Sequence, residues 1–190
     1  RNALSENNQI VRIQDFGAGS AWGIRSEKEM KEGVFFETTV SKMSEQSSSP
    51  EKWGEFIFKL VRMIEPQISL ELGTCLGVSS AYQIAAHQLN QKGKLVTLEG
   101  AEALAEVSED YLTQFHLTAY ELKVGRFKNT LPEVLEECPI IDFAFIDSNI
   151  GSPWSATSLN NISVLPLSFN ARFLTTCIRF LCCTIYLYSS

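Results

Sequence analysis

Basic residues are under-represented in this sequence. Its 16 lysines and arginines are outnumbered by 22 aspartates and glutamates, and the formal net charge is −6. Binding to a nucleic-acid backbone depends on Lys and Arg side chains that displace counterions from phosphates. The charge balance therefore argues against nucleic acid as the main partner.

Patterned metal ligands are also lacking. The five cysteines include no Cys-x-x-Cys pair, and the only histidines are His87 and His116. A zinc site needs about four such ligands at characteristic spacings, so we expect none. An odd number of unpatterned cysteines is most simply explained as reduced thiols, which favours a cytoplasmic location.

The sequence has no apolar run long enough to cross a bilayer. The uncharged run after Arg179 has eleven residues, against the roughly 20 that a membrane-spanning helix needs. The chain starts RNALSENNQ, which is polar, lacks an initiator methionine and shows no signal peptide. We therefore expect no membrane partner, and a chain that begins partway into a longer protein.

The most informative stretch that is present runs from Gln67 to Gly100. A short apolar run, residues 68–72, precedes Gly73 and Gly77, and a helical segment then leads to a second apolar run that stops at Glu99. Strand, glycine turn, helix, strand and acid in this order are typical of a βαβ nucleotide-binding unit. A glycine pair between two apolar runs can also be a simple turn, so the motifs that follow must decide between the two interpretations.

Each residue type in this stretch suits a nucleotide site. A Cβ atom at Gly73 or Gly77 would block the close approach of a ligand to the turn. Ser79 and Ser80 are suited to cap the start of the helix, where free N–H groups favour an anion. The Glu99 carboxylate only accepts hydrogen bonds, which suits the two hydroxyls of a ribose.

The glycine spacing separates two classes of cofactor. Dinucleotide sites use three glycines in the pattern G-x-G-x-x-G, whereas this chain has E-x-G-x-x-x-G from Glu71 to Gly77. The missing third glycine argues against a nicotinamide dehydrogenase.

Helices and strands alternate through the rest of the chain. We predict amphipathic helices from Pro50, from Ala101 to a buried Phe115, and from a capping box at Thr130 through Glu137. The residues 120–124 and 140–146 read as strands, the first of them nearer the sheet edge. Repeated strand–helix–strand units with right-handed crossovers imply a doubly wound parallel sheet.

Four site residues follow directly after predicted strands: Gly73, Glu99, Gly125 and Asp147. Ligands of such sheets lie at the carboxyl ends of the strands. The coincidence of these four positions is the best internal indication of a functional site.

A second glycine motif lies near the N-terminus, in the sequence Asp15-Phe-Gly-Ala-Gly19, with Glu37 at a suitable distance. The strand before it alternates apolar and polar residues, as a half-exposed edge strand would. The segment 26–33 is too short and too charged for a good crossover helix. We therefore predict an N-terminal extension containing a turn, followed by a polar, serine-rich connector over residues 41–50.

From Phe16 to Asn149 the sequence resembles a bacterial class I S-adenosylmethionine-dependent methyltransferase of the O-methyltransferase-like branch. The matching pieces are DFGAGS, LELGTCLGVSSAY, VTLEG, VGRFKNTLPEVL and IDFAFID, in that order. The resemblance implies a Rossmann-like, mostly parallel sheet with helices on both faces, incomplete at the C-terminus. It divides the chain into an extension (1–49), an S-adenosylmethionine-binding core (50–149) and a divergent tail (150–190).

The resemblance also implies roles for individual residues. It assigns the methionine and ribose end of S-adenosylmethionine to residues of the glycine turn and helix start, and it assigns the ribose hydroxyls and the adenine to residues after the next two strands. The first set is Glu71, Gly73, Thr74, Gly77 and Ser79, and the second is Glu99 with Gly100, then Arg126 with Phe127. For Phe127 core packing is an equal alternative, and for Arg126 a solvated loop charge.

Asp147 is the one catalytic candidate, as a general base or cofactor contact. Metal-dependent relatives that resemble catechol O-methyltransferase carry an acidic metal ligand at this position, but this chain offers no counterpart for the remaining ligands. A divalent metal is therefore possible but not supported, and a lone aspartate at a strand end is often a turn residue.

The pattern ends abruptly after Asp147, where Ser148 and Asn149 replace the expected glycine and histidine. Residues 151–190 contain no Asp, Glu or Lys, and we interpret this tail as a truncation product or an out-of-frame read. The expected function is methyl transfer from S-adenosylmethionine to a small-molecule acceptor. The alternatives are a cofactor-binding remnant without catalysis and, third, a nicotinamide oxidoreductase.

Overall fold

The structure of the chain, a computed structural model, describes residues 1–16, 19–20, 23–24, 26–48 and 50–146. The elements in chain order are α1 (Asn2–Ser5), β1 (Ile10–Asp15), β2 (Gly19–Ser20), β3 (Gly23–Ile24), α2 (Glu27–Glu32), β4 (Val34–Thr39), α3 (Val40–Ser47), α4 (Glu51–Ile64), β5 (Ile68–Leu72), α5 (Val78–Asn90), β6 (Lys94–Glu99), α6 (Glu102–Gln114), β7 (Tyr120–Val124), α7 (Phe127–Glu137) and β8 (Phe143–Ile146).

A four-stranded sheet in the order β7-β6-β5-β8 forms the centre of the fold. All three strand pairings are parallel, and Leu70 of β5 lies opposite Val96 of β6 and Ala144 of β8. The central strands β5 and β6 are buried almost throughout because helices cover both faces of a parallel sheet. The predicted Rossmann-like α/β class is confirmed, and β7 lies at an edge, as the sequence indicated.

Alternate residues of β5 face opposite layers of the fold. Leu70 and Leu72 belong to a cluster that includes Leu131 and Val134 of α7. Ser69 and Glu71, which point to the other face, bond to side chains of α5. This alternation follows from the two-residue period of a strand, and it explains how one short segment contributes both to the core and to a polar network.

The edge strand β7 carries a line of ion pairs. The Glu121 carboxylate lies 2.6 Å from the Lys94 ammonium and 2.8 Å from that of Lys123. The Lys123 ammonium also lies 2.9 Å from Glu137 of α7.

Among the described residues no helix is both long and apolar enough to span a membrane.

The N-terminal segment packs beside the main sheet as a separate unit, which we call the N-terminal unit and which comprises β1, α2 and β4. Strands β1 and β4 pair antiparallel, with Ile13 opposite Phe36. The inward side of β1, Val11 and Ile13, packs on Leu104 and Val107 of α6. Because the pairing is antiparallel, α2 is no parallel crossover helix, and a Ser26 capping box starts it.

Three local predictions were wrong. The supposed connector over 41–50 is largely the helix α3, whose Val40 and Met43 are buried. Helix α7 begins at Phe127 rather than at a capping box, and the Thr130 hydroxyl donates to the Arg126 carbonyl oxygen instead. Phe115 lies just past the end of α6, outside its helical period, and is 56% exposed.

A buried histidine ties α5 to the start of β5. His87 Nδ1 lies 3.0 Å from the carbonyl oxygen of Lys92, which can only accept, so Nδ1 carries the proton. His87 Nε2 therefore accepts from the Ser69 hydroxyl at 2.9 Å. Burial lowers the pKa of His87 below its ordinary value near 6.5, and the bond to Lys92 opposes this shift.

We expect His87 to make the folded chain sensitive to mild acid. Below about pH 6.5 the unfolded chain binds a proton at this imidazole that the folded chain resists, so the stabilisation is complete above that pH and is lost as the pH falls. Substitution His87→Gln should lower the free energy of unfolding at pH 7 by about 1–3 kcal/mol and reduce its slope between pH 7 and 5. Denaturant titrations check both effects. An unchanged slope in His87→Gln would contradict the assignment.

Candidate functional site

The turn between β5 and α5, residues Gly73–Gly77, forms what we call the glycine loop. Three of its residues have positive φ: Gly73 at 101°, Cys75 at 49° and Gly77 at 74°. The N–H groups of Gly73 and Thr74 donate to the carbonyl oxygen of Leu98 at 2.9 and 3.3 Å. The loop is therefore fastened across the end of the neighbouring strand β6, where ligands of parallel sheets bind.

Gly77 serves a different purpose from the one that the sequence suggested. A Cβ at this position would lie 3.2 Å from the Ser108 Cβ of α6, so it would meet a packed helix rather than a ligand. The requirement for glycine follows from the positive φ and from this close approach of α6.

Glu99 lies beside the glycine loop, at the end of β6. Its Oε2 accepts a hydrogen bond from the N–H of Cys75 at 2.7 Å, and its Oε1 accepts from the N–H of Ala101 at 2.9 Å. The side chain is 8% exposed. The acid and the loop are thus brought together, as the strand–turn–helix–strand pattern predicts.

Two opposing influences set the ionisation of Glu99. Burial raises its pKa above the ordinary value near 4.5, and the carboxylate of Asp15 adds to this effect. Hydrogen bonds from the N–H groups of Ala101, Cys75 and Gly100 favour the charged form and oppose it. A carboxylate has about four acceptor positions, so Glu99 retains capacity for further donors.

Glu71 has a structural role where the resemblance implied contact with a ligand. Its side chain has zero exposure and accepts hydrogen bonds from four side chains. These donors are the Ser79 hydroxyl at 2.7 Å, the Gln83 amide at 2.9 Å, the Thr97 hydroxyl at 2.7 Å and the Ser80 hydroxyl. A ligand in the cleft could reach this carboxylate only by displacing those partners.

The same network corrects the role of the two serines and explains Thr74. Ser79 and Ser80 do not cap α5, whose N-cap is Gly77, because their hydroxyls point to Glu71. The Thr97 hydroxyl donates its proton to Glu71, so it accepts from the Thr74 hydroxyl at 2.6 Å. The buried carboxylate therefore fixes the glycine loop through a chain of two threonines.

Arg126 and Phe127, which follow the end of β7, make different contacts. The Arg126 guanidinium donates to the carbonyl oxygens of Met30 and Lys31, at 2.9 and 2.8 Å, and lies 4.4 Å from the centroid of the Phe16 ring. It is thus no solvated loop charge. Phe127 packs against the cluster beneath α7, which favours the core-packing alternative.

Gly100, Asp147 and a metal site are the predictions that remain. A Cβ at Gly100 would meet nothing within 4 Å, so there is open space beside Glu99. Asp147, the catalytic candidate, lies outside the described residues. Within those residues no group of three or more His, Cys, Asp or Glu side chains could hold a metal ion.

Sequence reasoning missed the polar partners of Glu71. Thr97 interrupts an otherwise apolar strand, and Gln83 lies four residues after Ser79 on the same helix face. A polar residue inside a buried strand was the available signal, but its partner could be identified only from the structure. The docking of Arg126 on the N-terminal unit left no signal in the local pattern.

Comparison with known proteins gives a matching family model for part of the chain. Residues 70–163, just under half of the chain, match a family model described as a methyltransferase domain. The match excludes the N-terminal unit and runs past Asn149, where the resemblance read from the motifs ended. A search of curated proteins gave no match.

Solved structures support the same family. The O-methyltransferase TomG of Streptomyces achromogenes, involved in tomaymycin synthesis and solved with SAM, is 28% identical with a TM-score of 0.50 and covers 55% of this chain and 47% of its own. The Bacillus cereus O-methyltransferase in complex with SAH is 27% identical with a TM-score of 0.50, covering 54% and 46%. The SAH-bound methyltransferase PaMTH1 of Podospora anserina, 21% identical with a TM-score of 0.54 and covering 60% and 47%, agrees in fold.

The chain spans about half the length of these solved structures. Within that span, the predicted resemblance to class I S-adenosylmethionine-dependent methyltransferases is confirmed.

We expect Thr97→Val to weaken the network under the glycine loop. Valine preserves the shape but removes a donor to Glu71 and the acceptor for Thr74, and a buried polar group left unpaired costs about 1–3 kcal/mol. Urea titration should show a fall of this size in the free energy of unfolding. The variant Thr118→Val, at an exposed site, should change it by less than about 0.5 kcal/mol. Equal effects of the two substitutions would contradict the role given to Thr97.

Proposed function

We propose that this chain carries the cofactor-binding half of a methyltransferase that moves a methyl group from S-adenosylmethionine to a small-molecule acceptor, by O-methyl transfer. The observation that carries the proposal is the contact between Glu99 and the glycine loop, a 2.7 Å hydrogen bond from the Cys75 N–H to the carboxylate. It brings a loop for the methionine end and an acceptor for ribose hydroxyls to one edge of the sheet. Two of the similar structures contain SAM or SAH, at 28% and 27% identity.

The residues present fit this cofactor. Gly73, with φ at 101°, allows the backbone to turn close to a ligand without a side chain in the way. With three of about four acceptor positions used, the Glu99 carboxylate keeps capacity for a hydroxyl donor, and the space beside Gly100 is open. Glu71 acts as a positioning residue, because its four bonds hold the loop and the start of α5.

S-adenosylmethionine supplies an electrophilic methyl group on a sulfonium. The contribution expected from the chain is alignment: the glycine loop and Glu99 hold the donor so that an acceptor oxygen can approach the methyl group in line with the carbon–sulfur bond. The transfer would form an oxygen–carbon bond in place of the carbon–sulfur bond, whose electron pair would stay on sulfur, and the acceptor would give up its proton. We propose Asp147 as the base that takes this proton, on the sequence argument alone.

Isothermal titration calorimetry with S-adenosylhomocysteine tests the site. Wild-type protein should bind it and Glu99→Ala should bind at least about tenfold more weakly, because a hydrogen bond to a charged acceptor is lost. The matched control is Glu102→Ala, an exposed carboxylate three residues away, which should bind like wild type.

The same measurement separates the alternative functions. Binding of NAD in preference to S-adenosylhomocysteine would overturn the proposal in favour of an oxidoreductase. Binding of S-adenosylhomocysteine without methyl release to any phenol or catechol offered would favour the remnant that binds without catalysis.

The affinity for S-adenosylhomocysteine should also depend on pH through Glu99. Protonation removes acceptor capacity from the carboxylate, and since burial raises its pKa, the dissociation constant should begin to rise at a pH above the ordinary value near 4.5 as the solution is acidified. Titrations between pH 8 and 5 check this. The Glu99→Gln variant cannot ionise and should bind weakly with little pH dependence; a rise as steep as in wild type would assign the effect to another group.

A further inference from the structure

The end of the N-terminal unit lies against the carboxyl edge of the main sheet. Arg126, the residue after Gly125 at the end of β7, donates to the carbonyl oxygens of Met30 and Lys31 near the end of α2. Its guanidinium also lies 4.4 Å from the centroid of the Phe16 ring. Three contacts thus fix a long side chain that would otherwise be free to move in solvent.

Two independent links bring this Phe16–Arg126 pair close to Glu99. On one side, the Gly125 N–H donates to the Glu99 backbone carbonyl at 2.8 Å, so Arg126 follows a residue bonded to Glu99. On the other side, Asp15 is near enough to Glu99 for its negative charge to raise the pKa of Glu99. Phe16 follows Asp15 in the chain, and its ring lies against the Arg126 guanidinium.

The ring is held firmly in this position. A Cβ at Gly33 would lie 2.7 Å from Phe16 Cε1, which means that the ring packs closely on the turn between α2 and β4. Gly33 has a φ of 79°, which favours glycine there in any case. Phe127, the aromatic residue that the motif comparison assigned to the adenine, packs in the core instead.

Strand order gives the direction in which a bound donor would run. The glycine loop follows β5, Glu99 ends β6 and Arg126 follows β7, and these three strands are neighbours in the sheet. With the amino-acid part at the loop and the ribose hydroxyls at Glu99, the end of β7 is the next strand end in the same direction, and the base is bonded directly to the ribose. The Phe16–Arg126 pair lies at that strand end.

We propose that Phe16 and Arg126 form the wall against which the nucleobase of the methyl donor lies, so that the N-terminal unit completes the cofactor site. This inference rests on the proposed function. An aromatic ring and a planar guanidinium both stack on a flat base, and the two main-chain bonds hold the guanidinium in one orientation. Phe16 lies outside the matched methyltransferase region, residues 70–163, whereas Arg126 lies within it.

The test compares two ligands that differ only in the base: S-adenosylhomocysteine and S-ribosylhomocysteine, which lacks adenine. Phe16→Leu should weaken S-adenosylhomocysteine binding roughly tenfold, the size expected for loss of one base–aromatic stack, and leave S-ribosylhomocysteine unchanged. Arg126→Lys should act in the same direction, because an ammonium cannot both stack and bridge two carbonyls. The matched control is Phe35→Leu, which disrupts another Arg–Phe pair, Arg12 with Phe35 at 5.0 Å, on the outer face of the same unit.

Saturation-transfer NMR gives a second readout that does not need the weaker ligand. Saturating the aromatic protons of the protein should label the adenine H2 and H8 of S-adenosylhomocysteine in wild type, and much less in Phe16→Leu. Equal weakening of both ligands, or unchanged labelling in Phe16→Leu, would overturn the wall. If wild type binds S-adenosylhomocysteine and Glu99→Ala does not, either of these contrary results rejects only the wall. If wild type does not bind S-adenosylhomocysteine, the proposed function fails as well.

Discussion

The buried carboxylate of Glu71 is the constraint on which the site depends. A charge with zero exposure is tolerated only when donors surround it, since removing an unpaired carboxylate from water is very costly. Here the donors come from α5 and β6, so satisfying the charge fixes the helix, the neighbouring strand and, through Thr74, the loop between them. The glycine loop is thus ordered by bonds within the chain, and a loop ordered in advance lowers the ordering cost of any binding.

Glu99 lies at the end of the neighbouring strand β6. The main-chain N–H groups of Cys75, Ala101 and Gly100 orient its carboxylate. Its raised pKa is the consequence of burying an acid away from water. The two glutamates of the motif thus differ in their partners: side-chain donors enclose Glu71, and main-chain N–H groups hold Glu99 beside the open space at Gly100.

Strands β5 and β6 were predictable because burial on both faces leaves an apolar run, and β7 because its apolar and polar residues alternate. All three fall within a residue of the expected bounds. The position of Glu99 beside the loop followed from topology alone. Several failures concern side chains whose partners the local pattern does not reveal. Ser79 and Ser80 look like caps until Glu71 is placed below them, and Thr130 looks like a cap until α7 starts at Phe127. The contact of Phe16 with Arg126 joins residues more than a hundred positions apart, which no local pattern encodes.

The row of alternating charges on β7 has a consequence for how the sheet can grow. Charged edges of this kind discourage unwanted pairing, and here ion pairs join Glu121 of β7 to Lys123 of β7 and to Lys94 of β6. In the described part of the chain the opposite margin is β8, whose four residues carry no charge. Of these two margins, the β7 edge is therefore the one that charge protects against an additional strand.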